Sequence, residues 1–292
     1  MSIHGGTPEK IAASTYAGGR LNLINPILSG KWLIFADTNT PNEPDTWKIR
    51  ALNLENRTER LVLDIKNDTV GLINSFNMSV DGDWLLWTLY LPKSTEDSIS
   101  MLNLSTGEKR EVLRDKVDGS IWSISASSQG QAVIEKDFDE NHGGGADMYL
   151  LDLATGKTQP LSTDGKSDMP HFVYPWAMWK SGLRYDTATE IVVYNLQTRQ
   201  QQLVPVQGVE PSDPLMDGTR IYWTAWVSTA DNSTNSIYVF DILKNTTSML
   251  TSPGADQIFN SVAIHGGLIA WLRVTNFSSA SSDSYLEWTT IQ

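Results

Sequence analysis

The sequence predicts an all-β chain, a six-bladed β-propeller of four-stranded antiparallel blades, and three observations predict it. A module of about 48 residues recurs six times along the 292 positions, the mark of a repeat architecture. Each copy breaks into four short strand-like runs divided by turn residues. The second run of each copy is apolar on both faces, which suits a sheet covered on both sides.

The period is read from the Asn or Asp that precedes a Leu or Ile near the end of the third run. Asn53, Asn103, Asp152, Asn195 and Asp241 stand 43 to 50 residues apart, and a sixth step lands on Glu287 within "YLEWTTIQ". Six such units leave no room for a second domain, so residues 1–292 are expected to form one propeller domain.

Within a unit the first run closes on a tight turn: "SGK" at Ser29, "DGD" at Asp81, "DGT" at Asp217, "HGG" at His265. Glycine supplies the positive φ that a two-residue hairpin turn needs. The second run is "KWLIFA", "DWLLWT", "RIYWTAW" or "GLIAWL". Trp84 and Trp87 lie three apart and so point to opposite faces of a strand, which a one-sided sheet would leave half exposed. The third run is "IRALNL", "ISMLNL", "MYLLDL", "IVVYNL" or "IYVFDI", and a turn such as "STG" or "ATG" leads into the fourth. The sixth unit ends after its third run. The N-terminal stretch of about residues 7–14 is expected to supply the missing strand, because Thr7-Pro8-Glu9-Lys10 parallels Thr106-Gly107-Glu108-Lys109. Closure of that kind removes open sheet edges.

These units resemble the TolB-type, WD40-like propeller repeat on "SVDGDWLLW…LNLSTGEKREVL" and "MDGTRIYWTAW…FDI". They depart from it in the third unit, which lacks the Trp, and in the fifth, where "LKN" replaces "TG". The resemblance covers all six units and implies a six-bladed propeller. Its namesake, a periplasmic assembly partner, implies a role in protein association rather than one activity.

Composition excludes several classes. Thirty-four acidic against 22 basic residues give a net charge of −12 and no basic stripe, which argues against nucleic acid. Cysteine is absent, so there are no disulfides, thiolate metal sites or cysteine nucleophiles. No run of 18 apolar residues is present to span a membrane as a helix. The opening "MSIHGGTPEK" does not read as a secretory signal. The Asn-, Ser- and Thr-rich stretches "STADNSTNS" and "NFSSASSDS" nevertheless favour an extracytoplasmic setting, periplasmic, secreted or at a cell surface.

Long connectors follow the second run of each unit and are expected to share one end of the molecule, where binding is usually placed. The sharpest local signal is "EKDFDENHGGGAD". Asp137, Asp139, Asn141 and Asp147 offer oxygen ligands beside three glycines, a pattern suited to Ca²⁺, although Met148 stands where a bidentate Glu belongs. A solvated acidic turn is the plainer reading, and no cofactor is expected. His171, on a first run and so near the central channel, is paired with Asp168 as a candidate base, with a packed histidine as the favoured alternative. Of the 11 Trp residues, Trp47, Trp122, Trp176 and Trp226 are placed nearer the long connectors. There they can stack on a sugar or anchor a partner, and His171 is counted with them as a partner-binding candidate, no residue being assigned as catalytic.

No G-x-S-x-G, H-E-x-x-H or phosphate-cradling Gly-Lys motif occurs. The reading is therefore a non-enzymatic interaction module for a protein or carbohydrate partner. The alternatives are a propeller enzyme (a calcium-dependent lactonase-like hydrolase or a glycan-cleaving enzyme) and a sensor or surface-display domain of a longer protein.

Overall fold

The computed structural model describes residues 22–38, 47–65, 78–89, 96–116, 122–137, 145–182, 190–207, 209–226, 234–251, 257–276 and 283–291. They divide into two compact units, 1–114 and 115–292. The first unit holds two blades: β1 (Asn22–Ser29), β2 (Trp32–Thr38), β3 (Trp47–Asn53) and β4 (Glu59–Ile65), then β5 (Met78–Asp81), β6 (Trp84–Leu89), β7 (Glu96–Asn103) and β8 (Lys109–Lys116). The second opens with β9 (Trp122–Ser128), β10 (Gln131–Asp137), β11 (Ala146–Asp152) and β12 (Thr158–Pro160). Its next blade is β13 (Ser167–Val173), β14 (Trp176–Ser181), β15 (Glu190–Asn195) and β16 (Gln200–Leu203). Then come β17 (Val209–Asp217), β18 (Arg220–Trp226), β19 (Asn235–Asp241) and β20 (Thr246–Met249), and finally β21 (Gln257–His265), β22 (Leu268–Thr275) and β23 (Asp283–Thr290).

Strands pair antiparallel in chain order within each sheet, four to a sheet except the last, which has three among the described residues. The six sheets are the blades of a six-bladed β-propeller. Residues 7–14, expected to complete the last blade, lie outside the described residues.

Three features make each blade. All six first hairpins turn in two residues. Gly30, Gly82 and Gly218 enter the turn at φ 54°, 56° and 59°, and the third blade uses Gln129-Gly130, both with positive φ. The fourth blade has no glycine there; it turns on Tyr174-Pro175, joined by a cis peptide bond. The Asx residues that mark the repeat cap the turn between third and fourth strands. Asn103 Oδ1 accepts from the amides of Ser105 (3.0 Å) and Thr106 (2.8 Å), and Asp152 Oδ1 from those of Ala154 and Thr155. Asn53, Asn195 and Asp241 do the same. The third feature is the two-faced second strand: Trp87, Trp179 and Trp223 are buried, and in the second unit β14 and β18 each pack one face on the preceding blade and the other on the next.

The cores therefore lie between blades. Trp32, Ile34, Ile49, Leu85 and Trp87 join the two blades of the first unit. In the second, Val133, Met148, Phe172, Trp179 and Val192 join its first two blades. Met178, Val193, Ile221, Trp223 and Phe240 join the next pair, with Trp223 stacked on Tyr238 at 5.7 Å. Tyr222, Ile237, Phe259, Ile269 and Trp271 join the last. First strands of successive blades touch one another (β9 with β13, β13 with β17, β17 with β21), so they form the inner edge.

Polar side chains tie blades at both ends. In the first unit Asp83 accepts from Trp32 Nε1 and from Ser105 Oγ, both at 2.7 Å, with Lys31 at 3.4 Å. The Ser105 and Trp32 hydrogen bonds hold its carboxyl below the usual carboxylate range. In the second unit Asp217 accepts from the amide of Gly267, and Asn235 brackets the backbone of Phe259 with its Oδ1 and Nδ2.

Candidate functional site

Antiparallel order puts every two-residue hairpin turn and every Asx-capped turn at one end of the blades. The other end carries the connectors between second and third strands, each six to eight residues long. Trp47 begins β3, Trp122 begins β9 and Trp226 ends β18, so all three belong to the connector end. Trp176 does not. It follows Pro175 as the first residue of β14, at the short-turn end, half-buried against the core that includes Met178 and Trp223. The expected grouping fails there because "YP" makes the hairpin turn that glycine makes in other blades, a turn the sequence pattern conceals. The side chains of Trp47 and Trp122 lie outside the description; Trp226 is half-buried.

Of the acidic stretch, Asp139 and Asn141 lie outside the described residues, and Asp137 is described only as the last residue of β10, in register with Ala146. Asp147 is 6% exposed. Its Oδ1 accepts from the amide of Gly165 (2.9 Å) and from Ser162 Oγ (3.3 Å), so the carboxylate holds the segment that leads into the next blade. Gly145 explains one glycine of the "GGG". A Cβ there would sit 1.9 Å from the carbonyl oxygen of Gly165, whose acceptor bond comes from the amide of Ala146. Among the described residues no group of three or more His, Asp or Glu converges to hold a metal.

His171 sits in the middle of β13, paired with Met178, on the inner edge. The strand bulges between Asp168 and His171, where Met169 takes φ 54°. Asp168 turns back to accept from the amide of Met169 (2.8 Å), and no hydrogen bond joins it to His171. Protein atoms crowd the imidazole although part of its surface stays accessible. Burial pushes its pKa down to about 4, so it is neutral at pH 7.

A cavity of about 220 Å³ opens at the short-turn end between the first two blades of the second unit. Leu150 and Leu161 form one wall and Tyr174 and Tyr194 the other, with Gln159 and Arg199 at its margin. It is the unfilled end of the inter-blade core: Tyr194 lies 6.3 Å from the Trp179 ring, and both tyrosines are only half-buried. The sequence reading missed these residues. The available signal was "NLQTRQ", where Arg199 replaces the glycine of "NLSTGE" and "DLATGK" and takes φ 59° in its place.

Sheets, turns and inter-blade cores together define a six-bladed β-propeller. No family model matches the chain, and no curated protein matches it in sequence. Solved structures do match. TolB from Acinetobacter baumannii superimposes with a TM-score of 0.56 at 15% identity, over 88% of this chain and 66% of that one. An oligogalacturonate lyase in complex with manganese gives 0.62 at 13% identity, over 94% of this chain and 78% of that one. An acylaminoacyl peptidase from Pyrococcus horikoshii gives 0.65 at 14% identity, over 93% of this chain and 46% of the peptidase. The chain thus spans just under two thirds of that TolB and less than half of the peptidase. At such identities the likeness shows the fold alone, which a lyase, peptidases and TolB share.

Proposed function

We propose that this chain is a non-enzymatic interaction module that engages a protein or glycan partner through its connector end. The asymmetry between the two ends carries the reading. At the short-turn end the blades repeat one design, with two-residue hairpins in all six and an Asx cap in five. At the other end the connectors differ in sequence from blade to blade, so the framework does not dictate them and they are free to carry recognition. Trp226 at the margin of that end is a ready anchor, since half-buried aromatics combine a large apolar face with a fixed position. An extracytoplasmic setting agrees with the TolB-type resemblance and with a chain free of cysteine.

Photo-crosslinking tests it. A crosslinking residue is placed at Trp226 in one variant and at Thr106, in a short turn, in another. Discrete adducts with protein or immobilised glycan from the Trp226 position alone are expected, and the Trp226→Ala protein should compete poorly for them. Equal labelling from both positions, or turnover of an oligosaccharide or lactone by the wild type, would replace this reading with another.

A further inference from the structure

We infer that the outer edge of the sixth blade, strand β23, is where a second copy of this chain docks. The two β23 strands pair antiparallel about a twofold axis and join the blades of two molecules into one sheet. The edge lies apart from the connector end, and the inference stands independently of the function proposed above.

The outer edges of the other blades are protected and this one is not. An unpaired edge offers amides and carbonyls to any other strand, and proteins blunt such edges with charge, proline or brevity. β4 carries Glu59, Arg60 and Asp64, and β8 carries six charges in eight residues. β12 has three residues and ends in Pro160; β16 and β20 have four each. β23 is eight residues long without a proline, and it is the outermost strand of its sheet among the described residues. Of its two charges Asp283 stands at one end, and Glu287 is taken by Trp271 Nε1 (3.0 Å) and Arg273 Nε (2.7 Å). Tyr285, Leu286 and Trp288 are 46%, 64% and 55% exposed. In β19, the matching strand of the preceding blade, six of seven residues are buried.

Register follows from parity. The amide of Ile291 donates to the carbonyl of Gly267, so in the antiparallel ladder Thr289, Glu287 and Tyr285 bond to β22. Thr290, Trp288, Leu286 and Ser284 then turn their amides and carbonyls outward. Two such edges use all four outward residues in one register alone, centred on Glu287. It sets Leu286 of each copy beside Trp288 of the other, and Ser284 beside Thr290. Such a ladder makes on the order of eight main-chain hydrogen bonds, against about ten in a standard interface. Apolar area adds less: Tyr285 and Trp288 keep roughly 100 Å² each exposed, which puts the contact in the small, weak class. The two Glu287 face one another across the axis, each with its own Arg273, and each copy carries a net charge of −12, so repulsion weakens the pair further. Residues 7–14 compete for the same edge. They bring Pro8, which has no amide, and one large apolar side chain, Ile11, to set against Leu286 and Trp288.

The test is sedimentation velocity of the intact chain across a concentration series that brackets a Kd on the order of 100 µM, the value expected for so small a contact. Association should tighten at high salt, which screens the like charges. Leu286→Pro deletes an outward amide without touching the ladder to β22, and Leu286→Lys puts a charge on the edge; each should weaken association roughly tenfold or more. Leu286→Lys, at an exposed position, should leave the melting temperature within about 2 °C of wild type. Hydrogen exchange adds a local reading: the amides of Leu286 and Trp288 should slow as concentration rises, while those of Tyr285 and Glu287 stay slow throughout. A monomer at every concentration overturns the proposal, and slow Leu286 and Trp288 amides in that monomer would give the edge to residues 7–14. A dimer that survives both variants overturns it as well.

Discussion

His171 gives the sharpest stability test. In the unfolded chain its imidazole titrates near 6.5, and in the fold burial holds it near 4. Between those values the unfolded state binds a proton that the folded state refuses. The histidine therefore costs nothing above pH 6.5, and stability falls as the pH drops from 6.5 towards 4. The slope approaches about 1.4 kcal/mol per pH unit, an upper bound of roughly 3 kcal/mol across the window, since part of the ring stays accessible. For a chain of this size 1 kcal/mol moves the melting temperature by about 2 °C, so the ceiling is roughly 6 °C.

The assay compares melting temperatures of wild type and His171→Gln at pH 7, 6, 5 and 4. Glutamine keeps the polarity and does not titrate. Wild type should lose several degrees more than the variant between pH 6.5 and 4. The carboxylates held low by hydrogen bonds, Asp83 among them, weaken the fold only at more acid pH and equally in both proteins. Proton NMR adds a direct reading: the imidazole signal missing from the variant should titrate well below 6. Parallel melting curves, or a midpoint above 6.5, would refute the argument and restore His171 and Asp168 as a poised pair.

Four other outcomes follow from the geometry. Gly145→Ala should cost about 2–4 kcal/mol in denaturant unfolding, because its Cβ meets the Gly165 oxygen at 1.9 Å and must break the Ala146–Gly165 hydrogen bond to escape. Asp147→Asn, which keeps an acceptor for Gly165, should be milder than Asp147→Ala, which removes the acceptor of a half-buried amide at a cost of about 1 kcal/mol. Calcium and EDTA should leave the melting temperature of wild type and of Asp137→Ala/Asp139→Ala unchanged; a calcium-induced rise that the double variant abolishes would establish a metal site in that loop. Trp223→Ala should cost about 3–5 kcal/mol, since the indole is buried in the core between two blades and stacked on Tyr238 of its own blade.

The fold was legible because its three determinants are local and repeat. Hairpin glycines, Asx caps and two-faced apolar strands each follow from a few neighbouring residues, and six copies make the period visible. The Asx ruler has a mechanism: each one bonds amides two or three residues onward, so its spacing measures the turn and hence the blade. The Tyr174-Pro175 hairpin broke the pattern while keeping its geometry, and Trp176 was misplaced as a result.

The site was less legible because its chemistry is shared between blades. Asp147 reads in sequence as one oxygen of an acidic loop. In the fold its partners are Ser162 and Gly165, 15 and 18 residues onward, and it works as a clasp on the chain entering the next blade. Asn235 does the same 24 residues from its partner Phe259, with no acidic loop around it. Two different side chains at adjacent register positions near the start of a third strand each give a buried acceptor to the incoming backbone. The carboxylate is one way to supply that acceptor. Cation binding is a separate property, so a metal in the neighbouring loop would have to find its ligands without the Asp147 oxygen that already holds Gly165.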